Sequence, residues 1–167
     1  MTTNKSSTHR AAITREGTYL TFRLQDEEYG IAIFKVKEII GMMDITTIPK
    51  MPGFIKGVIN LRGKVIPILD LRLKFGLESV PYNERTCIIV VEAPGSFGDM
   101  ALGLVVDAVH DVANIKEDDV EDSPSFGMNL EGNFILGMAK YDSGVRILLD
   151  IAKVVGEAEL ADLTLAA

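Results

Sequence analysis

Apolar and polar residues alternate from Tyr19 to Leu24, placing Leu20, Phe22 and Leu24 on one face and Thr21 and Arg23 on the other. Gln25-Asp26-Glu27-Glu28 is polar enough to turn the chain, and alternation resumes over Tyr29 to Ile33, so a hairpin is predicted. Phe34 to Glu38 reads as a brief helical turn before an extended run through Ile48. Pro49 and Pro52 then bracket a loop, with a short helix expected near 50–56.

The stretch from Gly53 to Gly76 is the centre around which the rest of the chain is organised. Gly57-Val58-Ile59-Asn60-Leu61 suits a strand with little face turned to solvent. Arg62-Gly63-Lys64 interrupts it, and Gly63 supplies the positive φ of a short hairpin loop. Val65 to Leu69 is a second strand, and Pro67, without an N–H for the ladder, puts that segment at an edge or a bulge. Asp70 stands at an N-cap position, Leu71 to Phe75 make a short helix, and Gly76 ends it.

Further along, Thr86 to Glu92 is a continuous β-branched run, Pro94 to Gly98 a loop, and Met100 to Val106 and Asp111 to Ile115 two more strands. Phe134 to Tyr141 and Val145 to Leu149 flank the hairpin signal Asp142-Ser143-Gly144, and Asp150 caps a helix over 151–155. The pattern repeats internally. Gly30 to Ile39 aligns with Gly103 to Val112 (103 − 30 = 73), while Ile55, Gly57 and Leu69-Asp70-Leu71 align with Ile135, Gly137 and Leu149-Asp150-Ile151 (135 − 55 = 80). The repeat implies two related all-β units of about 65–70 residues, each near the lower limit for holding a core alone, so the two should pack on each other.

Composition narrows the function. At 47% hydrophobic the chain can fill an interior, and a net charge of −7, from 24 acidic against 17 basic residues, disfavours nucleic acid as a partner. No apolar run reaches membrane-span length, and residues 1–16 lack the apolar core of a signal peptide and read as a disordered tail. A lone Cys87 allows no internal disulfide, and the chain is expected to be cytoplasmic. No catalytic constellation assembles. His9 lies in the tail, His110 beside a strand with no nucleophile motif, and no phosphate-binding loop occurs. The carboxylates of Glu117, Asp118, Asp119, Glu121 and Asp122 lack the EF-hand spacing and read as a solvated acidic loop. No enzyme activity, metal or cofactor is expected.

Several segments resemble one family. Phe54 to Gly63 followed by Val65 to Arg72 is similar to the signature of the CheW family, bacterial proteins that couple chemoreceptors to the chemotaxis histidine kinase. Glu27 to Ile31 with Lys35-Val36 and Glu38-Ile39, and Gly103 to Asp107 with Val109 and Asp111-Val112, resemble it as well, in family order from about Gly17 to Gly156. The resemblance implies an all-β fold of two small five-stranded SH3-like barrels on a shared core with short helices. The expected division is 17–80 and 84–156, between tails at 1–16 and 157–167. It also implies a non-enzymatic adaptor at receptor arrays on the inner face of the membrane. The partners would be the CheA regulatory domain, which has a CheW-like fold, and the cytoplasmic tip of a chemoreceptor. Arg62 matches the arginine that the family uses toward receptors. Glu38, Val36, Gly57 and Asn60 are expected on the same surface, while the kinase-binding residues are not assigned. By residue chemistry alone, Arg62 is a soluble turn residue and the glycines at 57 and 137 serve backbone geometry. A small-ligand-binding β-barrel, or an enzyme on a small-barrel fold, is the second reading, and a closed pocket with convergent polar groups would favour it.

Overall fold

The computed structural model describes residues 15–95, 98–122, 134–142 and 144–155. The strands are β1 (Gly17–Leu24), β2 (Glu27–Ala32), β3 (Val36–Gly41), β4 (Ile55–Leu61), β5 (Lys64–Asp70) and β6 (Cys87–Gly95). They continue with β7 (Gly98–Val106), β8 (Ala108–Ile115), β9 (Val120–Glu121), β10 (Ile135–Tyr141) and β11 (Gly144–Leu149). Among the described residues, helix is confined to 3₁₀ turns at Ile33–Lys35 and Glu117–Asp119, α1 (Leu71–Lys74) and α2 (Ile151–Val155). The all-β expectation therefore holds.

The strands form two sheets, ordered β8-β1-β2-β11-β10-β9 and β3-β6-β7-β5-β4. The sheets do not follow a cut at 80–84, because each draws strands from both halves. The third strand of each repeat pairs with the first strand of the other (β3 with β6, β8 with β1). The second pairs in parallel with the fifth strand of the other, Leu148 opposite Gly30 and Ile68 opposite Gly103. The repeat is thus real and interlaced. Both copies carry a bulge at the same place, Ile55/Gly57 and Ile135/Gly137, and both tie the cap residue back, Asp70 N–H to Phe54 O at 2.7 Å and Asp150 N–H to Phe134 O at 2.8 Å.

Three apolar clusters explain why the interlacing is stable. The largest joins Leu20, Phe22 and Ile31 of one sheet to Ile89, Leu102 and Leu104 of the other, with Leu71 and Val154 from the short helices. Each such side chain, fully buried, is worth about 1.5–3 kcal/mol, so separating the sheets would expose most of the hydrophobic stabilisation. The second cluster, with Ile59, Ile66, Ile68 and Ile88, lies on the face of the five-stranded sheet opposite the shared core, and a third, around Tyr19, Ile115 and Leu148, lies on the corresponding face of the other. Side chains occupy these interiors, against a ligand-holding barrel.

Several expectations need correction. Among the described residues the two sheets have six and five strands, and neither closes by a ladder between its end strands. In the five-stranded sheet the gap is spanned by one bridge, Thr46 to Val58, with N–H···O distances of 2.8 and 2.9 Å. No helix forms over 50–56, where turns lead straight into β4, and the helical turn expected to reach Glu38 stops at Lys35 because Val36 enters β3. Residues 1–14 and 156–167, most of the two expected tails, lie outside the described residues. Arg15 and Glu16, however, are anchored. The Arg15 guanidinium grips Glu117 at 2.6 Å and Asp122 at 2.8 Å, so part of the acidic stretch is a clasp and not a solvated loop. Pro67 lies in an interior strand. Its β4 neighbour Val58 directs both backbone groups at Thr46, so the pair shares no hydrogen bond and the proline nitrogen faces β7, where pairing starts only at Ile68.

Candidate functional site

β4 and β5 meet in a two-residue loop, with Leu61 opposite Lys64 and positive φ at both Arg62 (52°) and Gly63 (88°). Positive φ at both central residues is the type I′ signature, whose twist suits a hairpin. Glycine accepts it freely, whereas a non-glycine residue such as Arg62 gives up on the order of 1 kcal/mol. Asn60 stabilises the loop by accepting the Gly63 N–H on Oδ1 at 2.8 Å. With Asn60 engaged in the turn, Arg62 is free to point outward.

It points at β3. Arg62 Nη2 donates to Glu38 Oε2, joining the two ends of the five-stranded sheet that no ladder connects. The Arg62 side chain is 68% exposed and that of Glu38 33%, so the pair contributes at most about 1 kcal/mol to folding. Arg62 thus remains available to a partner. Gly57 is buried, with φ +141°, and a Cβ there would lie 2.0 Å from the Thr46 carbonyl oxygen. It permits the bridge that seats the hairpin and offers no side chain of its own. Val36 opens β3 opposite Val91, is separated from Glu38 by a bulge, and packs against the shared core. Of the five residues expected here, Glu38 and Arg62 touch, Asn60 shapes the loop, Gly57 supports it from below, and Val36 faces mostly inward.

Two exposed apolar residues flank this surface without having been singled out in the sequence. Val65 is 69% exposed and sits across the ladder from Asn60, and Ile39, next to Glu38, is 43% exposed. Strand alternation alone does not mark them: Ile39 lies opposite buried Ile89 of the shared core and is exposed where β3 forms the end of the sheet, and Val65 sits near the hairpin end of β5.

Two other polar groupings tie strands together. Glu28 on β2 lies 2.9 Å from His110 Nδ1 on β8 and accepts Arg146 Nε of β11 at 3.4 Å, while Arg146 stacks 4.0 Å over the Tyr141 ring. Burial opposes the charge on Glu28, but the His110 hydrogen bond and the Arg146 cation outweigh it and hold the carboxyl below its usual range. Arg72 of α1 donates Nε to both oxygens of Asp107 at 2.8 and 3.0 Å, and Asp107 also accepts the Gln25 N–H at 2.8 Å, so this side chain staples one sheet to the other. In neither grouping does a Ser, Thr or Cys nucleophile meet a base, and no cluster of metal-ligating side chains occurs among the described residues. What this arrangement offers is a rigid binding surface.

Comparison with known proteins agrees with that character. Residues 18–159 match the family model of the CheW-like domain. The chain is 41% identical over 143 residues to the chemotaxis protein CheW of Klebsiella aerogenes, covering 86% of this chain and 84% of that protein. It is 33% identical to the chemotaxis protein CheW of Treponema pallidum, covering 86% and 85% of the two. Among solved structures, the scaffolding protein TtCheW from Thermoanaerobacter tengcongensis superposes with a TM-score of 0.76 at 36% identity, over 86% of this chain and 95% of that one.

Proposed function

The chain belongs to the CheW family of non-enzymatic chemotaxis scaffold adaptors, and from that premise we propose that it holds a CheA-type histidine kinase against the cytoplasmic tip of a chemoreceptor. The observation that carries the receptor side is the exposed Glu38–Arg62 pair, set on a glycine-seated hairpin and flanked by exposed Val65. A receptor tip is a helical hairpin, and such a partner calls for an apolar strip with charges at its rim. Glu38 and Arg62 are the rim, Asn60 and Gly57 preserve the loop that presents them, and Val36 fixes the start of β3.

The kinase's regulatory domain shares this fold and is expected to add barrel against barrel through sheet edges. The end strands β3 and β8 carry exposed apolar residues at equivalent positions, Ile39 and Val112 (112 − 39 = 73), which supports an edge as that contact. No described helix is long and apolar enough to cross a membrane, and the proposed location is the inner face of the membrane at receptor arrays, held there by partners.

Arg62→Glu tests the receptor side. The residue buries little, so thermal unfolding should change by about 0.5 kcal/mol or less, while at a charged rim the reversal costs several kcal/mol of binding. Receptor binding is expected to fail with kinase binding and melting intact, and Glu38→Arg in the same chain is expected to restore the internal pair. Unchanged receptor affinity would reduce Arg62 to a turn residue.

A further inference from the structure

The second repeat leaves a cleft where the first is filled. In the first, Leu61 and Ile66 are buried in the second cluster, with Met42 packed against it. The matching residues of the second repeat are Tyr141 (141 − 61 = 80), Arg146 (146 − 66 = 80) and Ile115 (115 − 42 = 73). Polar groups thus stand where the other half has apolar fill, and a cleft of about 570 Å³ opens there, a size that ligand sites commonly have. It lies between the end of β8, the 3₁₀ turn before β9 and the β10–β11 tip, and among its described walls only Ile115 is aliphatic.

The walls call for a ligand that carries both signs of charge. Arg146 is held from two sides, its guanidinium 4.0 Å over the Tyr141 ring and its Nε donated to Glu28 at 3.4 Å. Its Nη1 and Nη2 have no partner among the described residues, where no buried side-chain nitrogen is left unpaired, so both open to the cleft. An oriented guanidinium with its outer fork empty suits a carboxylate. Beside it, Asn114 accepts the Thr18 hydroxyl on Oδ1 at 2.9 Å, which leaves its amide N–H groups as further donors. Asp119 and Asp142 line the same cleft, and their carboxylates make no hydrogen bond or ion pair among the described residues, whereas Lys140 is occupied by Glu121 at 2.9 Å. Two open carboxylates repel a bare anion and attract an ammonium group. Because Arg146 stacks on Tyr141, the chain neighbour of Asp142, the fork and that carboxylate face one space.

We propose that this cleft binds a free α-amino acid, its carboxylate on Arg146 and Asn114 and its ammonium group between Asp119 and Asp142. A simple carboxylate or phosphate would meet the two aspartates, and an amine alone would meet Arg146, so only the zwitterion satisfies every wall. Exposed ion pairs are weak singly, so the dissociation constant is expected on the order of a millimolar. The first repeat, with Leu61, Arg62 and Ile66 at the equivalent positions, has no counterpart to the site.

L-Alanine is the probe, with propionate and ethylamine as its carboxylate-only and ammonium-only counterparts. Titrated through the millimolar range into the isotope-labelled full-length chain, L-alanine should shift the nuclear magnetic resonance signals of the Arg146 Nε–H, the Asn114 side-chain amide and the Gly144 N–H saturably. Propionate and ethylamine should bind about tenfold more weakly. Asp119→Asn combined with Asp142→Asn removes two exposed charges and should leave the melting temperature unchanged. In that chain L-alanine is expected to bind about tenfold more weakly than in the parent, and propionate more tightly, because the repulsion is gone. No saturable shift of these groups by L-alanine overturns the proposal. Equal affinity for propionate or ethylamine also overturns it, leaving a site for one charge only, and so does unaltered L-alanine binding in the double variant.

Discussion

The two hairpin tips, β4–β5 and β10–β11, share a backbone plan and differ in chemistry. Both follow a bulged glycine and lead into a capped helix. At the first, Arg62 reaches Glu38 on the third strand of its repeat. At the second, the equivalent positions are Asp142 (62 + 80) and Asp111 (38 + 73), two acids that cannot pair. Asp111 instead lies beside Thr21, whose hydroxyl donates to its backbone oxygen at 3.0 Å. In that half the ionic contact moves inward to Glu28, His110 and Arg146 across three strands. The fold therefore does not need the Arg62–Glu38 pair, because its other half stands without one. An ion pair that is exposed, dispensable to the fold and held on a strained loop is better explained by binding than by stability.

The sharpest way to break the equivalence is at the two bulged glycines. In Gly57→Ala the new Cβ meets the Thr46 backbone at a φ that side chains avoid, and the expected cost is about 3 kcal/mol or more, with loss of the Thr46 bridge. In Gly137→Ala the nearest atom is a side-chain carbon, Val120 Cγ1 at 2.5 Å, with the end of Arg15 at 3.0 Å and no positive φ. These two side chains can give way, and the one backbone neighbour, the Glu121 carbonyl oxygen, stands farther off at 3.1 Å, so about 1–2 kcal/mol is expected. Parallel denaturant titrations decide it. Equal costs would mean that the halves tolerate strain alike.

The next contrast is between two equivalent positions, Asp107 and the exposed Phe34 (107 − 34 = 73). Asp107→Ala leaves the Arg72 guanidinium and the Gln25 N–H without their acceptor and is expected to cost about 2 kcal/mol, whereas Phe34→Ala at the equivalent position should stay within about 0.5 kcal/mol. Similar losses would show that Phe34 is structural.

The smallest effect is a pH dependence. The folded carboxyl of Glu28 titrates below its ordinary value of 4.5, so its stabilisation is complete above that pH and fades as the pH falls through the lower folded value. Glu28→Gln should therefore lower the melting temperature at neutral pH, by about 1 kcal/mol in stability, and converge with the parent chain in acid. A gap that widens on acidification would reverse the assigned sign.

Local patterns determined a good deal. Alternation located β1 and β2, a hairpin signal located β10 and β11, and the Arg62-Gly63 loop and the Asp70 and Asp150 caps could be read because turns and caps depend on residues a few positions apart. The doubled spacing revealed two copies, and the family motif pointed to Glu38 and Arg62, which do meet. Only the tertiary structure decided that the copies interlace. A period of two tells a strand which face to bury but not which strand to lie beside, and β7, apolar on both faces, could pair with any neighbour that buried it. The choice of β5 on one side and β6 on the other comes from the shared core, where Leu104, Ile89 and Phe22 pack only if each repeat lends strands to the other sheet. The clasp of Arg15 on Glu117, and the staple of Arg72 on Asp107, were hidden for the same reason. Their partners lie 102 and 35 residues away in sequence, and only the packed core brings them within reach.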